Sequence, residues 1–303
     1  MLALPVQARC AFASLHPAVS FAFFAGALLL CMVFAHPLLQ TEALCLAALC
    51  YVSFRGRSAW RFIGGLAVLL AVVALVSPLF NTQGETVLFR WWAGRPYTLE
   101  ALALGASTGL MLAAMMLWFA SYHLVMTSDA FTFLFGRALP GLSTVLVMVL
   151  RLVPTYRRRI EKLALAHAGI GQGPSEGATL AARVRSAGTV LAALSADALE
   201  GAIVTADSMV ARGYGLPGRT HFALFRWERR DSVVLMVMVG LLAAAVVALV
   251  LGDTTVRYFP AIVVPPVGAD VLVGVLCYGV FLLLPTAINL GGRLAWRCSL
   301  SNM

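Results

Sequence analysis

Long apolar stretches separated by short polar segments occupy most of this chain. Six of them approach or exceed the roughly 20 helical residues that are needed to cross a hydrocarbon layer of about 30 Å. They cover residues 19–35, 38–54, 60–80, 99–126, 231–252 and 270–290. The first two are short and flank His36-Pro37, which favours a tight helical hairpin. The pattern therefore predicts six membrane-spanning helices.

Residues 127–230 separate the first four apolar stretches from the last two. Within this region, residues 131–150 are apolar but interrupted by Arg137 and by Leu139-Pro140-Gly141. Three alternatives stay open for them: they enter the membrane, lie along it, or pack against a partner. Two longer amphipathic patterns follow.

The first amphipathic helix is predicted to begin near residue 151. One helical face is formed by apolar or aromatic residues and a histidine, while the run Arg157-Arg158-Arg159 points elsewhere. The face consists of Tyr156, Ile160, Leu163, Ala164 and His167. The helix ends in GIGQGPSEG, because four glycines and a proline within nine residues do not continue a helix.

The second amphipathic helix is predicted from about Leu180 to Val210. At about 100° per residue, one apolar line forms on the side opposite Asp197, Glu200 and Asp207. That line consists of Leu191, Ala198, Ala202 and Met209, and we assign Leu194 to the same face. Such a helix is expected to pack on protein or lie at the membrane interface rather than to span.

Composition confirms the class that the pattern indicates. Hydrophobic residues make up 61% of the chain and charged residues 12%, which is too little polar surface for a soluble globule of this size. There are 22 Lys+Arg against 13 Asp+Glu. With the N-terminus in the cytoplasm, only Arg90, Arg95 and Arg257 lie outside, so the positive-inside rule predicts that both termini are cytoplasmic.

These boundaries divide the chain into an N-terminal transmembrane part (1–126), a cytoplasmic helical region (127–230) and a C-terminal transmembrane hairpin with a short tail (231–303). The arginine excess is explained by topology, so no nucleic-acid partner is predicted.

The residues that carry chemistry do not form an active site in the sequence. No Walker A loop and no GxSxG motif is present, so the chain does not hydrolyse nucleotide through a P-loop of its own. The histidines lack the spacing of metal ligands. Five acidic residues lie near the ends of spans, where capping and anchoring explain them: Glu42, Glu100, Asp129, Asp231 and Asp270. No catalytic residue and no metal site is assigned.

The stretch ADSMVARGYG at 206–215 ends the second amphipathic helix. Gly213 is placed to take the left-handed conformation that caps a helix C-terminus. Ala211 and Gly213 carry almost no side chain, so a partner's backbone could approach closely while Arg212 projects towards it. The alternative is an arginine that complements the helix dipole.

The whole arrangement resembles the transmembrane T component of energy-coupling factor (ECF) transporters, including the cobalt-transporter subunit called CbiQ. The features that carry the resemblance are RLVP opening a basic helix, MVARGYG ending a second one, GRT shortly afterwards, and His16-Pro17 ahead of the first span. They extend over nearly the whole chain and are most specific at 151–220.

The resemblance implies a mostly helical, roughly L-shaped protein with long cytoplasmic coupling helices. In that family two Ala-Arg-Gly motifs end two coupling helices, and each arginine engages a groove of an ABC-type ATPase subunit. Ala211, Arg212 and Gly213 match the second motif. The first is expected near 166–171, where Gly169, Ile170 and Gly171 stand instead and the arginine is missing. Either Ile170 makes this contact, or Arg159 or Lys162 replaces the arginine, or this side binds weakly.

The expected function is therefore that of a non-catalytic subunit of a vitamin or metal-ion importer in a bacterial or archaeal cytoplasmic membrane. Two ABC-type ATPases, which bind ATP and Mg, are the expected partners, together with a membrane-embedded substrate-binding (S) subunit held on the apolar helix faces. This chain itself is expected to bind no cofactor. Two alternatives are a conventional ABC permease subunit and an integral-membrane enzyme that acts on lipid-linked substrates.

Overall fold

The computed structural model describes residues 11–34, 36–90, 96–136, 140–171, 179–214, 216, 225–252, 256–265 and 268–301. The chain is an all-α membrane protein, as predicted, with the addition of one small β-hairpin. It divides into two compact units. One comprises Met1–Ala130 together with Phe225–Met303, and the other comprises Phe131–Leu224.

Nine α-helices lie within the described ranges. They are α1 Pro17–Val33, α2 Pro37–Arg55, α3 Ala59–Phe80, α4 Leu99–Val125, α5 Ser128–Gly136, α6 Pro140–Gly169, α7 Leu180–Ala211, α8 Arg229–Leu251 and α9 Ala269–Ser301. Short 3-10 helices at Ala11–Ser14 and Gly56–Ser58 precede α1 and join α2 to α3. Each of the six apolar stretches of the sequence coincides with a helix.

Five helical stretches of described residues are long and apolar enough to cross a membrane. They are Pro37–Phe80, which contains both α2 and α3, Leu99–Val125, Leu180–Ala211, Arg229–Leu251 and Ala269–Gly292. The helix α1 is apolar but has only 17 residues. Length and composition thus do not separate α7 from the spans, and the number of six spans stays a prediction.

The core of the first unit is built on aromatic rings. The ring of Phe23 on α1 lies 5.1 Å from that of Phe281 on α9 and 5.7 Å from that of Trp118 on α4. The helices α3 and α4 meet through small residues, since a Cβ at Gly109 would lie 3.1 Å from the Leu70 carbonyl oxygen. Close backbone approach through glycine is typical of helices packed in membranes.

A two-stranded hairpin between α3 and α4 is the feature that the hydropathy pattern did not predict. Strand β1 (Val87–Arg90) pairs antiparallel with β2 (Pro96–Thr98). Glu100, in the first turn of α4, accepts a hydrogen bond of 3.0 Å from the Thr86 backbone N–H. Glu100 therefore holds the hairpin to the start of α4.

The helices α1 and α2 begin in the same way. His16 and His36 are the N-cap residues, and in each the side-chain Nδ1 accepts a 3.2 Å hydrogen bond from the N–H two residues later. A proline follows each histidine at the first helical position, where its missing N–H costs nothing. Burial lowers the pKa of both histidines, and the Asp231 carboxylate opposes this for His16 to a smaller extent.

Asp231 also has the predicted capping role, at the start of α8. Its side chain accepts the Glu228 backbone N–H at 3.0 Å, and Glu228 completes a capping box. The second Asp231 oxygen accepts the His16 backbone N–H at 3.3 Å, so one buried carboxylate joins the starts of α1 and α8.

Glu42 does not cap a helix, and its predicted role as a capping residue is wrong. Its carboxyl group packs into the space left by the missing side chain of Gly279 on α9. The reason is the helical phase of α2, which turns position 42 towards α9.

The second unit contains α6 and α7, which pack against each other. The helix α6 runs unbroken from Pro140 to Gly169, so the predicted helix start near residue 151 is wrong. Pro140 is the first residue of α6. A proline there starts a helix, because the first N–H groups of a helix have no intrahelical partner. Residues 137–139 lie outside the described ranges.

Candidate functional site

The C-terminal end of α7 is closed by a glycine cap. Gly213 has φ of 78° and its N–H donates to the Val210 carbonyl at 2.9 Å, while the Tyr214 N–H donates to the Met209 carbonyl at 3.0 Å. These two bonds are those of a Schellman motif, which satisfies the last carbonyls of a helix. The capping role predicted for Gly213 is confirmed, and Arg212 directly precedes it.

The C-terminal end of α6 shares the positive φ and one of these two hydrogen bonds. Gly171 has φ of 79° and its N–H donates to the Ala168 carbonyl at 3.0 Å. Ile170 directly precedes it, as Arg212 precedes Gly213. Only glycine adopts this left-handed conformation without strain, so the two ends present one residue each on a matching backbone.

Both of these side chains are exposed. Ile170 is 70% exposed, and Arg212 is exposed as well. A Cβ at Gly169 or at Gly171 would meet no atom within 4 Å. The surroundings of Ile170 are therefore open, and its isobutyl-sized side chain is not used in packing within the described part of this unit.

One ion pair fixes the contact between α6 and α7. An Arg159 guanidinium nitrogen donates to an Asp197 carboxylate oxygen, and both side chains are about half exposed. Arg159 therefore lies on the inner side of α6, and the prediction that it points elsewhere is wrong. Positions 159 and 160 lie on either side of the same line along α6. The arginine is the one that turns inwards because its guanidinium pairs with Asp197 on α7.

The predicted face of α6 is only partly turned inwards. Tyr156, Leu163 and His167 are half-buried, whereas Ile160 is 41% exposed and Ala164 is also exposed. Ile160 and Ala164 lie on the flank opposite Arg159, away from α7.

The predicted face of α7 is divided in a similar way. Leu194 is 9% exposed and lies on the side that carries Asp197, so it packs within this unit, and its place on a partner-binding face stays a prediction. Leu191 is 62% exposed, and Ala202 is exposed as well. Ala198 and Met209 are intermediate in exposure. Leu199 and Ile203 join Leu191 and Ala202 in a free face, with 68% and 57% exposure.

Among the described residues, no group of three or more His, Cys, Asp or Glu side chains is arranged to hold a metal ion. The two helix ends and α7 offer binding surfaces: the exposed guanidinium of Arg212, the exposed side chain of Ile170, and an apolar face on α7.

Comparison with known proteins gives three similar chains, each called energy-coupling factor transporter transmembrane protein EcfT. The protein of Staphylococcus aureus (strain 04-02981) is 28% identical over 193 residues, which cover 59% of this chain and 71% of the relative. The protein of Bacillus selenitireducens is 36% identical over 108 residues, or 35% of this chain and 40% of the relative. The protein of Lactobacillus helveticus is 24% identical over 214 residues, or 65% and 76%.

The resemblance to the EcfT family is confirmed. No family model matches the chain.

In this EcfT relative, the paired Arg159 and Asp197 are the site residues that sequence reasoning missed. The charge pattern is the signal that could have found them. Arg159 lies at the edge of the predicted face of α6, and Asp197 lies beside the apolar line of α7. The histidine caps of α1 and α2 were also missed, although two His-Pro pairs before apolar runs are visible in the sequence.

Proposed function

We propose that this chain is the energy-coupling transmembrane subunit of an ECF-type ABC importer. In this role it binds two ABC-type ATPases at the ends of α6 and α7, and an S subunit on the free face of α7. It transmits the ATP-driven motion of the ATPases to the S subunit, and so drives uptake of a vitamin or a metal ion. ATP and Mg are bound by the ATPases and not by this chain.

The observation that carries this proposal is the pair of matching helix ends. Two ATPases that close on each other present two grooves, and a subunit coupled to both needs two rigid projections. A capped helix end is rigid because its last carbonyls are hydrogen-bonded. Arg212 offers a groove charge-assisted hydrogen bonds, which contribute about 1.5–3 kcal/mol each when water is excluded.

The second projection differs in chemistry. Ile170 offers only apolar contact, so the two ATPase grooves are expected to differ in polarity. This favours a pair of unlike ATPases over two copies of one ATPase. Of the two possible substitutes for the missing arginine, Arg159 loses support because it is paired with Asp197, whereas Lys162 stays an alternative.

The free face of α7 suits a membrane-embedded S subunit. It is apolar and exposed, and it contains Leu191, Ala202 and the adjoining Leu199 and Ile203. Rigid helices that slide against a partner can transmit motion between two binding surfaces without bond chemistry. The orientation that fits this arrangement has both termini in the cytoplasm.

Replacement of Arg212 by Glu tests the proposal. The ATPases are expected to be lost from the complex purified from native membranes, because the carboxylate repels the acceptors that hold the guanidinium. The matched control is Arg185→Glu, which changes the same charge on the same helix far from the capped end and is expected to retain the complex.

Retention of both ATPases by the Arg212→Glu protein, with transport unchanged, would exclude the anchoring role. Transport by the purified chain with ATPases but without any S subunit would favour a conventional permease. Turnover of a lipid-linked substrate by the chain alone would favour an enzyme.

A further inference from the structure

The first half of α6 is only partly covered by the rest of the chain. None of residues 144–153 is buried, and the exposed ones include Val145, Val147 and Val149. At about 100° per residue, Val147 lies on the side opposite Val145 and Leu152, so apolar side chains are exposed on both sides. A protein groove covers one stripe of a helix, whereas a helix that is apolar all round is typical of a surrounding apolar medium.

The length of this segment matches one half of a lipid bilayer. Ten helical residues rise about 15 Å, and the hydrocarbon core of a bilayer is about 30 Å thick. Tyr156 lies three residues after this segment, and tyrosine is enriched at the boundary between hydrocarbon and headgroups. Arg151 is the one charged residue within residues 144–153, and its long side chain can reach the same boundary.

Positive charge begins where the apolar segment ends. Arg157, Arg158 and Lys162 are exposed, and Arg158 and Lys162 lie one helical turn apart on the line of Arg151. Glu161 on the same turn offsets part of this charge. Within the described ranges the single ion pair joins Arg159 to Asp197. Arg157, Arg158 and Lys162 therefore have no acidic partner among the described residues.

We propose that the basic end of α6 binds the phosphate groups of anionic phospholipids, with residues 144–153 in the adjoining hydrocarbon. Arg158 and Lys162 contact the headgroups on one side of the helix and Arg157 on another. Of the three alternatives that the sequence leaves for residues 131–150, this proposal selects membrane entry for residues 144–150. It concerns a ligand that the proposed transport function does not name, and it stands without that function.

Lipid binding by the purified full-length chain tests this proposal. The chain is mixed with micelles that contain phosphatidylglycerol and phosphatidylcholine, and the retained lipids are counted by native mass spectrometry. Near a membrane surface each Lys or Arg contributes about 1 kcal/mol to binding of anionic lipid. The double variant Arg158→Gln/Lys162→Gln is therefore expected to bind phosphatidylglycerol about 30-fold more weakly, with binding of phosphatidylcholine unchanged.

The matched control is Arg183→Gln/Arg185→Gln. It removes two exposed arginines from the first turns of α7, away from the basic end of α6, and it is expected to retain phosphatidylglycerol. Equal loss in both double variants would overturn the proposal, since the effect would then follow net charge alone. Displacement of the lipid by millimolar inorganic phosphate would also overturn it, in favour of a site for free phosphate.

A second measurement separates lipid from a protein partner. Val147→Cys and Lys162→Cys proteins in phosphatidylglycerol-containing nanodiscs are treated with a membrane-impermeant maleimide, and peptide mass spectrometry reports labelling at each site. Position 162 is expected to be labelled and position 147 protected. Labelling of position 147 as fast as of an Arg185→Cys control would contradict membrane entry. Loss of the ATPases from Arg158→Gln/Lys162→Gln with phosphatidylglycerol retained would show an acidic protein surface as the partner.

Discussion

Ile170 and Arg212 occupy the same position at two helix ends, each directly before a glycine with φ close to 80°. The two ends share the glycine φ and the hydrogen bond that the glycine N–H donates three residues back, and they differ in the chemistry of one exposed side chain. Ile170 stands where the first Ala-Arg-Gly motif would have its arginine. The matching position before a glycine explains how the chain still presents two comparable projections. The role of each glycine can therefore be tested by a substitution that leaves Ile170 and Arg212 unchanged.

Replacement of Gly213 by Ala is expected to loosen the end of α7. An alanine with φ near 78° is strained by about 1 kcal/mol, and its Cβ would lie 3.0 Å from Leu216 Cδ1. Hydrogen exchange of the Tyr214 amide, which donates to Met209, is expected to accelerate several-fold. Gly201→Ala is the control, because Gly201 lies inside α7 in open space and alanine there stabilises the helix. Faster exchange in the control than in Gly213→Ala would contradict the cap.

The pair of Arg159 and Asp197 is expected to couple α6 to α7 weakly but measurably. Both side chains are close to half exposed, so solvent screening limits the coupling free energy to about 0.2–1 kcal/mol. A double-mutant cycle with Arg159→Ala and Asp197→Ala, followed by urea unfolding in detergent, measures this value. Arg158→Ala replaces Arg159→Ala in the control cycle, where the coupling energy with Asp197→Ala is expected to be close to zero. A coupling of the same size in both cycles would mean that the pair has no specific role.

Substitutions of Leu194 and of Leu191 are expected to have different effects, the first on stability and the second on binding of a partner. Leu194 is buried against the inner side and Leu191 is 62% exposed. Leu194→Ala is expected to lower the free energy of unfolding by about 2 kcal/mol, because it removes buried methyl groups and leaves a cavity. Leu191→Ala should change it by less than about 0.5 kcal/mol, while it weakens co-purification with the S subunit. Thermal melts and pull-downs on the same samples check both, and a reversed order would show that the faces are misassigned.

The histidine caps predict a loss of stability in mild acid. Burial lowers the pKa of His16 and of His36 below the ordinary value near 6.5. The unfolded chain therefore takes up protons that the folded chain resists. The free energy of unfolding should fall as the pH drops from about 7 through 6.5 towards the lowered values. Protonation also removes the Nδ1 lone pair that caps each helix.

The double variant His16→Asn/His36→Asn keeps a capping oxygen without a titrating group. Its melting temperature is expected to depend less on pH between 7 and 5 than that of the unchanged protein. Parallel pH profiles of the two proteins would refute the assignment of this dependence to the caps.

The sequence predicts the helices well because hydropathy and helical period act locally. The α7 helix was predicted from Leu180 to Val210 and runs to Ala211, and the glycine cap at Gly213 follows from a rule about one residue. The start of α6 was missed because a Leu-Pro-Gly triplet interrupts a helix or begins one, and only the backbone on both sides decides which.

The inner faces were harder to predict because they depend on two helices at once. Arg159 and Ile160 lie on opposite flanks of one helical line, so the sequence of α6 alone does not determine which turns inwards. Asp197 on α7 determines it, through a contact 38 residues away in the chain. The same reason applies to Leu194, which was placed on the apolar face of α7 from its helical angle alone, without the packing of α6 against α7.

The most direct measurement is photo-crosslinking from the end of α7 in native membranes. Benzoylphenylalanine replaces Tyr214, an exposed aromatic residue two positions after Arg212 that conserves an aromatic ring. The account predicts that the crosslinked product contains an ABC-type ATPase, and that the yield falls when Arg212→Glu is added. Crosslinks to lipid alone, or a yield that Arg212→Glu leaves unchanged, would contradict it.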